Sequence, residues 1–308
     1  MRIPRSVTWL ASIVVLLGIV ATCVGLFWGG GPGSSVYTSL RGEEVEIYGR
    51  GIYAHDSIFR AAGNRGTDVA TLALGVPLLI ISTVLARRGS ARANLLLLGL
   101  LAYFLYVYAS VALSSAYNGL FLVYVALFAA SLFAFVQCFS SLHRRDGGLF
   151  PGPLPRRGIA AFMFFSGVAT VIIWLMPLID ALARGVPPDT LQHYTTMVTE
   201  VLDLGVIVPA VFISGFYLVR RRPLGYLVAI PLLVLIAMLL PAIALQTAFQ
   251  VSAGVSLTPG EIIGPIAGFA ILGALALWIL AVIARKVPKV PRDVEWMPRD
   301  RGDASAGD

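Results

Sequence analysis

The segment TEVLDLGVIVP, residues 199–209, places Glu200 and Asp203 three positions apart at the start of an apolar run. On a helix that spacing puts both carboxyls on one face. Acids inside membrane spans face a bundle interior or a wet cavity, where they bind protons, cations or cationic solutes. The apolar run 204–219 is too short to span alone: it gives about 24 Å of helix against a hydrocarbon core of ~30 Å. Starting the helix at Thr199 brings it to about 31 Å. The sequence therefore predicts that both acids belong to the spanning helix, with Asp203 roughly a turn inside it. A plainer reading stays open: acids favour the positive end of the helix dipole and can sit among lipid headgroups.

The same pattern occurs earlier. TDVATLALGVP, residues 67–77, shares with 199–209 a Thr, an acid, Val, Leu, Val and Pro in the same order and spacing. Asp68 is the repeat mate of Glu200, and both helices run on to arginines, at Arg87 and Arg220. Pro77 and Pro209 lack an N–H, so the carbonyls of Ala73 and Gly205 lose their helical partners. Broken helices of this kind line ion sites in transporters, although proline is also common in ordinary membrane helices. The expectation is one outward-facing cavity, lined by Asp68, Glu200 and Asp203 and shaped by Pro77 and Pro209.

Other candidates are weaker. TPGE, residues 258–261, reads as a capping box with Thr258 as N-cap, Pro259 at the first helical position and Glu261 closing it. His55 and His193 lie in separate loops without metal-ligand spacing, so no metal site and no cofactor are expected. No G-x-S-x-G elbow, P-loop or dinucleotide fingerprint is present. Cys23 and Cys138 fall within apolar stretches and indicate no disulfide framework. Tyr103, Phe104, Tyr106 and Tyr108 read as an interfacial aromatic belt, or as a stacking surface for a ligand.

The elements that must position these acids follow from composition. Of 308 residues, 58% are hydrophobic and 13% charged, and the mean hydropathy is +0.85. That composition belongs to a multi-pass membrane protein. Eight apolar stretches are long enough to span: 8–28, 68–86, 94–114, 119–141, 159–182, 200–219, 224–247 and 260–284. The net charge of +7 is a topology signal rather than a nucleic-acid footprint. With the N-terminus in the cytoplasm, the clusters at Arg87, Arg88 and Arg92, at Arg144, Arg145, Arg156 and Arg157, at Arg220 to Arg222, and beyond Arg285 all fall inside. Only Arg41, Arg50, Arg60, Arg65 and Arg184 fall outside. Both termini are then cytoplasmic, in the cell membrane. The basic start resembles a signal peptide, but its apolar run is long and no A-x-A site follows, so a retained first helix is expected.

The predicted fold is all-α: one membrane domain, 1–285, in two four-helix halves, 1–146 and 155–285, related as parallel repeats. An outer loop, 29–67, is expected to form a lid. It contains a hairpin turning at Gly49–Gly51 and a short helix capped by Asp56 and carrying Ile58, Phe59 and Ala62. The tail, 286–308, is charged and broken by proline and reads as disordered, resting on anionic lipid headgroups.

IYGRGIYAHDS, TDVATLALGVPLLI and GLLAYFLYVYAS…YNGLFLVYVALF together resemble uncharacterised bacterial multi-pass membrane proteins. That resemblance runs along most of the chain. It implies an integral membrane protein and carries no activity, cofactor or site. Three functions remain in view. The first is a carrier or binder of a cation or small solute through the outer acids. The second is a non-catalytic sensor, assembly factor or partner subunit working through loop 29–67. The third is a lipid-modifying enzyme using acids and histidines such as Asp203 and His193, disfavoured because no nucleophile–base pair is visible.

Overall fold

A computed structural model describes residues 3–144, 150 and 154–287. Residues 288–308 of the expected tail, and most of the linker between the two halves, lie outside the described residues. The architecture is all-α. Among the described residues, eight helices are long and apolar enough to cross a membrane: Arg5–Phe27, Ile58–Arg87, Ala91–Ser114, Phe121–His143, Arg156–Arg184, Val198–Val219, Leu224–Ser252 and Pro259–Lys286. The chain is therefore a multi-pass membrane protein.

Two of the spans are composite. The second runs as α2 (Ile58–Ala70), a π-helical turn (Thr71–Gly75) and α3 (Val76–Arg87). The sixth runs as α7 (Val198–Leu202), a π-helical turn (Asp203–Ile207) and α8 (Val208–Val219). The other spans are α1 (Arg5–Phe27), α4 (Ala91–Ser114), α5 (Phe121–His143), α6 (Arg156–Arg184), α9 (Leu224–Ser252) and α10 (Pro259–Lys286). The helix ends follow local chemistry. Ser90 caps α4, its hydroxyl accepting from Ala93 N. α6 ends on Gly185 at φ 68°, with Val186 N donating to Ala181 O, a Schellman closure that needs a left-handed residue. Thr258, Pro259 and Glu261 form the expected capping box at the start of α10.

The first four and last four spans share several neighbour relations. In each, the composite span packs on the first helix and on the third, and the third packs on the fourth. The halves meet along α4 and α9, with α2 against α9 and, more sparsely, α7 against α4. This is the pattern of a pseudo-twofold relation, since exchanging halves turns one of the last two contacts into the other. The correspondence is incomplete at the first and fourth helices. α1 packs on α5, whereas α6 and α10 border an apolar cleft of about 330 Å³ lined by residues such as Phe162, Phe165 and Trp278.

α4 and α9 form the centre. Leu97, Leu98, Leu100, Leu101, Tyr103 and Phe104 on α4 are fully enclosed. Lipid tails are as apolar as these side chains, so close packing and interhelical hydrogen bonds hold such a bundle together. Small residues make the approach possible. A Cβ at Gly99 would overlap Val234 of α9, and one at Gly66 would overlap the backbone of Gln246.

Three sequence expectations need correction. The second span starts at Ile58, ten residues before the predicted 68, because the polar run Gly63–Gly66 is helical. The polar groups of this helix start find partners elsewhere: Asn64 donates to Ser115 Oγ (3.2 Å) and Arg65 to the Tyr48 hydroxyl (2.7 Å), and before the run Arg60 donates to Ser114 Oγ (2.8 Å). The helix is capped by Ser57, whose hydroxyl accepts from Arg60 N, rather than by Asp56. The hairpin pairs β1 (Ser35–Thr38) with β2 (Glu44–Ile47), so it turns within 39–43 and not at Gly49–Gly51. Gly49 and Gly51 have positive φ and tie the loop back to its own glycine-rich start, through Gly33 N to Gly49 O and Gly51 N to Gly30 O.

Candidate functional site

The loop at 115–120 and the long connections 28–57 and 185–197 lie at one end of the bundle. The arginine clusters at 87–88, 144 and 220–222 lie at the other. The acids sit toward the first end. At ~1.5 Å per residue, Asp203 is about 25 Å from the arginines that close its span, and Asp68 about 28 Å from Arg87. With those arginines taken as one edge of a ~30 Å core, both carboxyls come just within its far edge.

Asp203 opens the second π-helical turn. Its Oδ1 accepts from the Tyr106 hydroxyl of α4 at 2.8 Å, and its Oδ2 accepts from Trp174 Nε1 of α6 at 2.8 Å. Both donors are neutral, and no ion pair to Asp203 occurs among the described residues. Glu200, one turn back, is half-buried and lines an open cleft of about 620 Å³ between α6, the 188–197 segment and α7. Neither Asp203 nor Asp68 lines that cleft.

Asp68 is 7% exposed. Tyr53, in a 3-10 turn at Gly51–Tyr53, donates its hydroxyl to Asp68 Oδ2 at 2.8 Å. Gly25 of α1 lets the carboxyl lie against the helix backbone, because a Cβ there would overlap it. The rings of Phe104, Tyr108 and Tyr124 stack in sequence beside this centre, with centroids 6.1 and 6.5 Å apart. The Tyr108 hydroxyl is enclosed and has no hydrogen-bond partner among the described residues.

Both π turns begin at matched repeat positions, Thr71 and Asp203, and both precede the matched prolines. In each, the first residue's carbonyl accepts from the N–H five residues on, Val76 to Thr71 and Val208 to Asp203. Each first side chain also reaches a hydroxyl of α4. Thr71 Oγ1 and the Tyr103 hydroxyl are hydrogen-bonded at 2.8 Å, and Asp203 bonds Tyr106. Two tyrosines three apart on the central helix thus grip both irregular turns. π turns interrupt the regular ladder and concentrate at functional sites. Here they also absorb the prolines, which sit in the first turn of α3 and α8.

The predicted acids are therefore all on or beside the irregular turns, but they form two centres and a cleft rather than one shared cavity. Asp68 and Asp203 have no hydrogen-bond partner in common. The aromatic residues read as an interfacial belt or a stacking surface are largely interior, with Tyr103 and Phe104 fully buried and Tyr108 2% exposed. Sequence reasoning did not single out Tyr53 or Trp174. The i, i+3 spacing of Tyr103 and Tyr106 was the available signal for an inward face on α4.

A third polar cluster joins the two long connections above the acids. Asp56 Oδ1 accepts from Ala116 N and from the Tyr194 hydroxyl, each at 2.8 Å. Arg60 lies 4.5 Å over the Tyr194 ring, and Arg41 donates to the carbonyls of Gln192 and Tyr194. His193 packs on Tyr194 with ring centroids 4.2 Å apart. Among the described residues, no three His, Cys, Asp or Glu side chains group as metal ligands.

Burial lifts the Asp56 carboxyl above its ordinary range, against hydrogen bonds from Ala116 and Tyr194 and the charges of Arg60 and His55. A raised folded value means the stabilisation is complete below the ordinary carboxyl range near ~4. It is lost as pH rises through the raised value. Thermal unfolding of the protein in nanodiscs should therefore show stability falling with rising pH across that window. Asp56→Asn, which cannot ionise, should flatten that part of the profile. A slope identical in both proteins would contradict this.

Compared with protein-family models, curated proteins and solved structures, the chain matches none.

Proposed function

We propose that this protein is a carrier of the cell membrane that moves a cation or small cationic molecule, alone or coupled to protons, with both termini cytoplasmic. Asp68 and Asp203 are the groups that take up the charge. The observation that carries this reading is a carboxyl at or beside each of two matched helix irregularities, Asp68 three residues before the first and Asp203 opening the second, each hydrogen-bonded by neutral donors only. A bare carboxylate away from water is costly unless a cation or proton accompanies it. Tyr53, Tyr106 and Trp174 hold the carboxyls in place without neutralising them. A visiting charge does so, and its departure restores the empty centre.

The repeat supports the same reading. Carriers built from paired halves place their sites at broken helices where the halves meet, and use the two packings of those halves to alternate access. α4 joins both irregular turns and packs against the other half through α9. The arginine distribution supports an orientation in which the acid-bearing end faces outward.

Purified protein in liposomes with a trapped pH dye and a membrane-potential dye tests the proposal. Gradients of Na⁺, K⁺ and organic cations are imposed in turn, and internal pH and potential are followed. The expected result is protein-dependent proton or charge movement with at least one gradient or with a pH gradient alone. No movement above protein-free liposomes under any of these gradients would overturn it.

A further inference from the structure

We infer that the cleft beside Glu200 is a binding site for a lipophilic monocation, an amphiphile with one positive charge and a flat or bulky apolar body. The inference supplies a substrate class and rests on the carrier reading for its role in transport. The binding site itself stands on the geometry of the cleft.

The cleft is large enough for a molecule of a few fused rings, at about 620 Å³. Its walls are apolar, built from Leu178 of α6, Leu191 and Met197 of the connecting segment, and Leu204 of the π turn. Thr195 and Thr196 add hydroxyl groups on one side. Glu200 is the single ionisable side chain in the lining. No Lys or Arg forms an ion pair with it among the described residues. Arg60 is an opposing charge acting on it, but that guanidinium is held by Ser114 Oγ and the Tyr194 ring. Asp203 adds a second negative charge to the local field.

One carboxylate within a greasy wall selects for one cationic group joined to apolar surface. A small inorganic cation would leave the walls unfilled, a neutral lipid chain would leave the carboxylate unpaired, and an anion would be repelled. The setting favours entry from the outer leaflet, because Val201 and Val206 beside the cleft are 60% and 58% exposed on a membrane-spanning helix. Glu200 then lies one turn before Asp203, so a cation bound at the first alters the field at the second.

Gly205 makes the site testable without disturbing the fold. It lines the cleft, and an added Cβ would meet nothing within 4 Å. Gly205→Leu should fill the space while the protein stays folded.

The experiment is fluorescence anisotropy on full-length protein in nanodiscs, corrected with empty nanodiscs. Rhodamine 6G is the cationic probe, and fluorescein, of similar size, the anionic one. The expected result is saturable rhodamine 6G binding, weakened at least about tenfold by Glu200→Gln and by Gly205→Leu, with no fluorescein binding. Equal binding of both dyes, or rhodamine 6G binding unchanged by either variant, would overturn the inference. So would the absence of saturable rhodamine 6G binding to a wild-type protein whose thermal unfolding remains cooperative. Cooperative unfolding of each variant shows that lost binding is not lost structure. Dye binding by a protein that moves no charge in liposomes would sustain the site and overturn the carrier. Charge movement without dye binding would do the reverse.

Discussion

Asp203→Asn should leave the protein folded and reduce its charge movement by at least about tenfold. The asparagine is nearly isosteric. Its Oδ1 can still accept from the Tyr106 hydroxyl, which lies 2.8 Å from the native carboxyl. Its amide nitrogen then faces the Trp174 indole N–H, which donates across 2.8 Å in the native protein. Two donors face each other, and one hydrogen bond is lost. That costs about 1–3 kcal/mol, survivable against typical stabilities of ~5–15 kcal/mol. What cannot be recovered is a group that gains and loses a unit of charge. Tyr106→Phe keeps that group and removes one of its two donors, so a smaller loss is expected. Asp180→Asn is the control, since Asp180 is exposed and paired with Arg184 at 2.8 Å, away from both centres. Equal rates in wild type and Asp203→Asn would remove Asp203 from the mechanism.

Gly25→Ala should damage the other centre by a steric route. An added Cβ at Gly25 overlaps Asp68 Oδ2 and comes within 3.1 Å of the Tyr53 hydroxyl. Asp68 is enclosed by α1, Tyr53 and the tyrosines of α4 and α5, so it has little room to give way. Overpacking of this kind costs about 1–3 kcal/mol. The expected outcome is a lowered midpoint of thermal unfolding in nanodiscs, together with lost charge movement. Gly158→Ala provides the contrast, because a Cβ there meets nothing within 4 Å. A helical glycine replaced by alanine gains about 0.5–1 kcal/mol. If both variants unfold at the wild-type temperature, the close seat of Asp68 against α1 is wrong.

The spans were legible because all but the sixth are long apolar runs, and that signal needs no knowledge of neighbours; the sixth needed its two acids to reach spanning length. The ends of the spans were less so. Gly63, Asn64, Arg65 and Gly66 look like loop residues in isolation. They become helical because Ser115, Tyr48 and the backbone of α9, all outside this run, satisfy or accommodate them. The shared Thr, acid and Pro positions were readable, and each of those two segments carries a π turn, beginning at Thr71 and at Asp203. Which acid would be gripped was not readable. Asp68 matches Glu200 in the alignment, yet the hydrogen-bonded carboxyl of the second half is Asp203, opposite Thr71. The difference lies in Tyr106 and Trp174, whose reach depends on how α4 and α6 pack. The same packing turns Tyr103 and Tyr108 inward, where residue type alone suggested an interfacial belt.

The central claim is that Asp68 and Asp203 are the groups through which charge enters and leaves the bundle. Recording currents from reconstituted protein on a solid-supported membrane during pH and cation jumps tests it most directly. A transient current in the wild type, strongly reduced in Asp68→Asn and in Asp203→Asn but intact in Asp180→Asn, is the predicted result. Currents of the same size in all four proteins would contradict it.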